Sequence, residues 1–246
     1  MKEAPLYITG VCMNNFKALF LFLSLLNVLN AKSIAKIPEA SGIYFLKESH
    51  ELIVVNDEGW IYRLKTNGKI IQKKYLGDYD FEGVTHYEEN LLIAVEDKNS
   101  IFIVDKKSFE IIKKVKIKKH KNIKKSKKHG IEAITVLNGE IYLSHQKSGL
   151  FKIDGLKNKK AKIIKIYKHG YKDIAGLFAK GNILYMISDK KNLLIKYDIK
   201  NAKTLKKIKL TKSAQEGICF DNKGNIYIAD DNGRILKYKT KDLGVK

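Results

Sequence analysis

The feature that most constrains this chain is an internal repeat of about 40 residues. Five segments share one order of short apolar runs and polar turns, and their starts are separated by 41, 50, 43 and 41 residues. The segments begin at Ser41, Glu82, Glu132, Ala175 and Glu216. A period of this length is typical of a β-propeller, in which each repeat forms one four-stranded blade; a solenoid, the alternative, usually has a shorter period. The repeats predict an all-β propeller of about five blades, with six as the alternative count.

Each repeat carries the signals of four short strands. The second strand is a continuous apolar run, as in residues 52–55, and the third alternates between apolar and polar residues, as in residues 61–65. The fourth alternates lysine with isoleucine, as in residues 111–117, which is typical of an exposed sheet edge. Short β-branched and aromatic runs between Gly, Asn and Asp turns are strand signals.

The last repeat is one strand short. It ends near Lys241 after three strands, whereas residues 33–37 (SIAKI) form a spare strand of lysine and isoleucine character ahead of the first repeat. We predict that this spare strand completes the last blade and closes the ring, because closure removes free sheet edges. Residues 32–246 are therefore predicted to form a single propeller domain.

The first 31 residues differ from the rest. An uncharged apolar run covers residues 18–29, follows a lysine, and is followed by the small residue Ala31. This pattern predicts a secretory signal peptide, and a run of about 12 residues is too short to span a bilayer as a helix. Met13 opens a more compact version of the same signal and is the expected true start. The alternatives are a buried helix and a retained membrane anchor. We expect a periplasmic or otherwise exported protein whose mature chain starts near Lys32.

The charge is strongly positive. The formal net charge is +22 with 48 basic residues, yet Arg63 and Arg234 are the only arginines. Specific nucleic-acid readers rely on arginine for bidentate contacts, so we expect no specific nucleic-acid binding. The densest basic run, residues 116–128, falls in the longest repeat interval and predicts an inserted loop. It is either a solvated loop or a docking patch for an anionic envelope surface. We expect a monomer.

Common catalytic patterns are absent from the sequence. It contains no G-x-S-x-G, H-E-x-x-H, Walker or G-x-G-x-x-G motif. Cys219 is the single cysteine after the predicted signal, so no internal disulfide is expected in the mature chain. The candidate chemistry therefore has to come from another residue type.

Carboxylates recur where each repeat begins. One set directly precedes the small residue of the first strand, and a second set lies two positions earlier, which puts both on one side of an extended chain. The first set is Glu82, Glu132 and Glu216, and the second set is Glu39, Asp80 and Asp173. Second strands also end in acids, for example Asp57 and Asp231. A propeller places these ends on one face, so the sequence predicts an acidic mouth of the central channel.

An acidic mouth on a basic protein has three interpretations. Oxygen ligands from several strands suit Ca²⁺, and the absence of cysteine there disfavours softer metals. Asp and Glu at such positions also bind backbone amides of neighbouring turns, which would make them structural. Catalytic acid–base chemistry is the third interpretation.

The blade starts also resemble a known family. Residues 39–43, 55–62 and 80–84, and the later starts at 131–134, 173–177 and 214–218, resemble the SdiA-regulated (YjiK-like) family of bacterial exported propellers. That family is distantly similar to phytase-like and esterase-like propellers, in which acids at the channel mouth hold calcium. The resemblance implies Glu82, Glu132 and Glu216 as calcium ligands, with Glu39, Asp80 and Asp173 in support. Ala175 and Gly130 depart from the pattern and leave the ring of acids incomplete.

Three functions follow as hypotheses. The first is a non-catalytic module that binds an unidentified ligand or partner at a calcium-loaded mouth. The second is a calcium-dependent phosphoesterase, in which the metal would polarise a phosphoryl oxygen and activate water. Only Lys172 supplies a cation at a blade start, which disfavours this hypothesis. The third is an envelope scaffold that uses the lysine run at residues 116–128.

Overall fold

The chain folds into a five-bladed β-propeller, as the repeats predict. The computed structural model describes residues 31–118, 120, 130–146 and 149–245. These residues form twenty strands and one 3-10 helix, Asp189–Lys191. The predicted signal segment lies outside the described residues except for Ala31. Within the described ranges, no helical segment has the length and apolar character needed to cross a bilayer.

Each blade is an antiparallel sheet whose strands follow one another from the channel outwards. Blade 1 contains β2 (Ala40–Leu46), β3 (Glu51–Asn56), β4 (Trp60–Lys65) and β5 (Ile70–Tyr75). Blade 2 contains β6 (Phe81–Tyr87), β7 (Asn90–Val95), β8 (Ser100–Asp105) and β9 (Ile111–Ile117). Blade 3 contains β10 (Ile131–Leu137), β11 (Glu140–His145), β12 (Gly149–Asp154) and β13 (Lys160–Tyr167). Blade 4 contains β14 (Ile174–Lys180), β15 (Ile183–Ser188), β16 (Leu193–Asp198) and β17 (Lys203–Lys209).

The fifth blade confirms the predicted closure of the ring. Its inner strands are β18 (Gln215–Phe220), β19 (Asn225–Asp230) and β20 (Arg234–Lys239), and β1 (Lys32–Lys36) pairs with β20 in antiparallel orientation. The inner strand β18 of this blade lies beside β2 of blade 1, so the ring is continuous. The two ends of the described chain thus meet in one sheet.

Five hydrophobic cores hold the blades together, one at each boundary between neighbours. The second strands supply much of this core, because both of their faces pack against other blades; in β7 every residue after Asn90 is buried. Between blades 5 and 1, Val54 and Leu52 share a cluster with Tyr227 and the buried Cys219. Burial on both faces explains why these strands read as unbroken apolar runs.

The central channel is closed by small residues on the inner strands. A Cβ atom at Gly176 would lie 2.1 Å from the carbonyl oxygen of Glu216, and one at Gly217 would lie 2.6 Å from that of Ser41. Backbones therefore meet at the axis, and the cavity that remains is about 10 Å³, no larger than one water molecule needs. The acidic mouth has a closed floor.

The outer strands form the rim of the disc. Each of them carries at least two lysines and no Asp or Glu. The large hydrophobic side chains that are exposed in the described part of the chain all lie on these strands: Ile70, Ile71, Tyr75, Ile112, Ile164 and Leu205. The basic run at residues 116–128 falls between β9 and β10, mostly outside the described residues.

Candidate metal centre

The same three positions of every blade surround the channel mouth. The first precedes the inner strand, the second lies in a register shift within that strand, and the third follows the second strand. The first positions are Glu39, Asp80, Gly130, Asp173 and Ala214. The second are Ser41, Glu82, Glu132, Ala175 and Glu216. The third are Asp57, Glu96, Gln146, Asp189 and Asp231.

Backbone hydrogen bonds fix the first and third positions to each other. The amide of Asp57 donates to the carbonyl oxygen of Glu39 at 3.2 Å, and that of Glu96 donates to Asp80 at 2.9 Å. Asp231 likewise donates to Ala214 at 2.9 Å. These bonds hold the first and third positions of a blade next to each other at the mouth.

One group of carboxylates converges closely enough to share an ion. One oxygen each from Asp57, Asp80 and Glu82 lie within 4.8 Å of one another. Asp57 comes from blade 1, whereas Asp80 and Glu82 come from blade 2. Oxygens on opposite sides of a Ca²⁺ ion are about 5 Å apart, since each lies about 2.5 Å from it. The spacing and the oxygen-only donors therefore fit a calcium ion.

Electrostatic interactions extend this group into blade 3. The carboxyl group of Glu96 lies near enough to both Asp80 and Glu132 for its charge to raise the pKa of each. Carboxylates at such short range repel one another unless protons or a cation neutralise them. Asp80, Glu82, Glu96 and Glu132 thus form one group of acids that needs such neutralisation.

Burial and mutual repulsion raise the pKa values of these acids. Burial, followed by the charge of Asp80, raises the pKa of Asp57 to about 7, and burial with the Glu96 charge raises that of Asp80 to about 6. Burial, with neighbouring carboxylates, also raises the pKa of Glu132 to about 9 and that of Glu82 well above its usual range. An ion that replaced the protons would restore the ionised forms.

Three oxygens at the mouth have no hydrogen-bond partner in the described part of the structure: Oε1 of Glu132, Oδ1 of Asp57 and Oε1 of Gln146. Glu132 is only 7% exposed, and a buried polar atom without a partner carries a desolvation cost of about 1–3 kcal/mol. The ion pairs among the described residues include none to Asp57, Asp80, Glu82 or Glu132. The cluster therefore lacks a protein cation.

The remaining predicted ligands lie around this cluster. Burial raises the pKa of Glu216 to about 10, with contributions from Asp189, Glu132 and Asp57, which places Glu216 within the same electrostatic group. Asp173 instead pairs with Lys190, whose Nζ donates to it at 3.2 Å. Glu39 is exposed, with a backbone φ of 42°. Glu39 is therefore peripheral to the buried group, whereas Asp173 is itself buried and its charge contributes to the raised pKa of Glu132.

Two members of the cluster were not among the ligands chosen from blade starts. Asp57 and Glu96 follow second strands, where the sequence does show a recurrent acid. Glu96 partly fits the structural interpretation, since its Oε1 accepts a hydrogen bond from the amide of Gly130 at 2.7 Å. Among the described residues, Glu82 and Glu132 accept no such bond from a backbone amide. The structural interpretation thus explains Glu96 but leaves the other acids unaccounted for.

One of three similar solved structures superposes with a TM-score above 0.5 and supports the fold. Glutaminyl cyclase from Myxococcus xanthus superposes with a TM-score of 0.63 at 13% identity, covering 85% of this chain and 94% of that one. Virginiamycin B lyase from Staphylococcus aureus gives a TM-score of 0.49 at 17% identity, covering 81% of this chain and 66% of that one. The Cps50 (Swd1) β-propeller domain from Myceliophteria thermophila gives 0.48 at 8% identity, covering 85% and 68%. At these identities the likeness concerns the fold alone.

The family comparison covers most of the ring. No match was found among curated proteins. The family model described as SdiA-regulated matches residues 22–235, a span that contains all five blade starts and the acidic positions described above. With the fold, the repeats and this match in agreement, the chain belongs to the SdiA-regulated family.

Proposed function

We propose that this protein is an exported propeller that binds a ligand or partner through a divalent cation, Ca²⁺, held at the channel mouth. The observation that carries the proposal is the convergence of Asp57, Asp80 and Glu82 within 4.8 Å, without a protein cation among the described residues. Like charges this close are unfavourable in a folded protein unless protons or a cation neutralise them.

Asp57, Asp80 and Glu82 would hold the ion, and Glu96 and Glu132 would complete its surroundings. The bound cation would neutralise the cluster and offer affinity for an oxygen-bearing ligand. The small residues of the inner strands close the channel below the site, so a ligand reaches the site only from the mouth. Two blades contribute the core ligands, and the ion would therefore also stabilise the boundary between blades 1 and 2.

A binding role is favoured over catalysis by the side chains around the cluster. A phosphoesterase needs cations that neutralise the charge of the transferring group. Among the described residues, the lysine paired with a first- or third-position acid of the mouth is Lys190, which contacts Asp173 of blade 4 rather than Asp57, Asp80 or Glu82. The name of the similar structure, a glutaminyl cyclase, adds cyclisation of a glutaminyl compound to the activities worth assaying.

The test is a calorimetric titration of residues 32–246 with CaCl₂, accompanied by thermal melts. We expect saturable binding that raises the Tm and is lost in the D80N/E82Q double variant. A matched control is E48Q/E88Q, which removes two exposed acids from other turns and should leave binding unchanged. Absence of heat and of a Tm shift up to millimolar calcium would overturn the metal site.

Turnover assays separate binding from catalysis. We expect no release of phosphate from phosphomonoesters and no cyclisation of a glutaminyl compound by the calcium-loaded protein. Phosphate release that a chelator abolishes, and that D80N/E82Q lacks, would show that the protein is a calcium-dependent phosphoesterase and not a non-catalytic binding module.

Export is part of the proposal and rests on the uncharged run at residues 18–29. Fractionation of cells that express the full chain, with mass spectrometry of its N-terminus, tests it. We expect the protein outside the cytoplasm with an N-terminus near Lys32. Full-length chain in the cytoplasm would contradict export without affecting the metal site.

A further inference from the structure

The rim of blade 1 combines aromatic, aliphatic and basic side chains on one exposed surface. Tyr75 is 50% exposed and Ile71 is 40% exposed, both on the outer strand β5. Trp60, the only tryptophan of the chain, is on β4 and lies opposite Tyr75 of β5, with the two ring centroids 5.3 Å apart. The ammonium group of Lys73 lies 5.2 Å from the centre of the Trp60 ring. We call Trp60, Ile71, Lys73 and Tyr75 the blade 1 rim patch.

The closing strand β1 lies beside this patch and adds positive charge. Ile34 of β1 and Trp60 pack against the same hydrophobic cluster, and the carbonyl oxygen of Ile34 adjoins Gly68 in the turn before β5. Lys32 pairs in register with Lys237, whose Nζ donates to the carbonyl oxygen of Thr66 in blade 1. Like charges directly opposite each other destabilise a sheet. An anionic partner would relieve this repulsion.

We propose that the blade 1 rim patch docks onto the surface of an anionic phospholipid bilayer. Tryptophan and tyrosine favour the interface between lipid and water, exposed aliphatic side chains enter the boundary of the acyl region, and lysines are attracted to anionic headgroups. A soluble polyanion would need only the lysines. The exposure of Tyr75 and Ile71 favours a bilayer.

The docking test uses residues 32–246, which lack the apolar run. All five boundary cores are built from residues after Lys32, so this fragment contains the complete ring. It is mixed with vesicles of phosphatidylcholine containing about one third phosphatidylglycerol, a composition chosen to give a negative surface. Trp60 is the intrinsic probe, and we expect a blue shift of its emission, quenching by brominated lipids, and loss of both at high salt.

Matched variants locate the docking surface. Leu205 and Lys207 occupy on β17 of blade 4 the register that Ile71 and Lys73 occupy on β5, and Lys207 also lies over an aromatic ring, that of Tyr171. K32Q/K73Q should weaken partitioning about 25-fold, at about fivefold for each lysine. I71S/Y75S should abolish quenching by brominated lipids. L205S/K207Q should change partitioning less than about twofold, because that arc faces away from the membrane.

Three results would overturn the proposal. They are equal binding to vesicles of phosphatidylcholine alone, equal losses from the blade 4 variant, and binding to dextran sulfate without binding to vesicles. Circular dichroism of each variant confirms that the ring is intact. Because the calcium titration is independent of vesicles, failure here and failure of the mouth site are distinguishable.

Discussion

The channel mouth and the outer rim are built from the same repeat, yet they carry opposite charge. Most acids of the mouth are partly or fully buried, whereas many lysines of the rim face solvent. Each blade starts or ends its inner hairpin with acids, and finishes on an outer strand that has lysines and no carboxylate. The ring brings the acids together and spreads the lysines apart. The net charge of +22 is a sum over the chain, so it does not reveal that the centre of the ring is acidic.

The difference teaches how geometry sets the energetic weight of a charge. At the mouth, burial and proximity raise the pKa values of Asp57, Asp80 and Glu132, so each ionisation is linked to the stability of the fold. On the rim, lysines face solvent and are screened within about 8–10 Å at ordinary ionic strength. The mouth should respond strongly to substitution, pH and cations, and the rim weakly.

The largest effect on stability is expected at the glycines of the inner strands, which close the channel below the mouth. G176A would place a Cβ atom 2.1 Å from the carbonyl oxygen of Glu216, and relief of that overlap must move the backbone of a neighbouring blade. We expect a loss of about 2–4 kcal/mol of stability, measured by denaturant unfolding. L205S on the rim should change stability by less than about 0.5 kcal/mol. Equal effects of the two substitutions would contradict the contrast.

The pH dependence of stability should be next in size. The mouth acids bind protons more tightly in the folded protein than in the unfolded chain, so without a cation stability is greatest near the ordinary carboxyl pKa of about 4 and falls as the pH rises. The fall continues through about 6 and 7, the raised pKa values of Asp80 and Asp57, toward about 9 for Glu132. We expect at least about 2 kcal/mol, or about 4–8 °C in Tm.

Calcium should reduce the loss of stability with rising pH, because the ion stabilises the carboxylates that ionise as the pH rises. Thermal melts across the range, with chelator or with calcium, make the comparison. A profile that rises with pH in chelator would show that the acids are already neutralised by protein groups.

A single neutral substitution should separate stability from binding. E132Q removes a buried titrating group that is 7% exposed while keeping its shape. We expect the calcium-free protein to gain about 1 kcal/mol near pH 8, and calcium affinity to fall about tenfold or more. Melts and calorimetry measure the two quantities. Loss of stability in E132Q without any change in calcium affinity would make Glu132 a structural residue.

The smallest effect is expected on the rim. Lys116 on β9 lies opposite Lys160 on β13, where the outer strands of blades 2 and 3 pair in parallel. K116Q removes one of two like charges and should stabilise the protein by about 0.2–0.5 kcal/mol at low salt, with no gain at high salt. Denaturant unfolding at two salt concentrations measures it. A gain that persists at high salt would require a cause other than charge.

The fold could be predicted from sequence because its signals are local and repeated. A period of about 40 residues, unbroken apolar second strands and the spare strand ahead of Ser41 specify five blades and their closure. The proximity of the Asp80 and Glu82 side chains could also be predicted, because residues two positions apart in an extended segment lie on the same side.

The composition of the site could be predicted only in part. Asp57 reaches Asp80 from another blade, and Glu96 bridges Asp80 to Glu132 across a boundary, so these contacts depend on how neighbouring blades pack. Glu39 and Asp80 occupy equivalent positions in the repeat, yet Glu39 is exposed whereas Asp80 is partly buried. An alignment of repeats cannot distinguish them, because it contains no information on burial.

The central claim is that a cation replaces protons at the mouth, and proton release on calcium binding tests it most directly. Calorimetric titrations near pH 7 in two buffers of different ionisation enthalpy give the number of protons released per ion. We predict release of about one proton or more, since the pKa of Asp57 is about 7 and that of Glu132 is about 9. Binding heats that do not depend on the buffer, or no binding at millimolar calcium, would contradict the account.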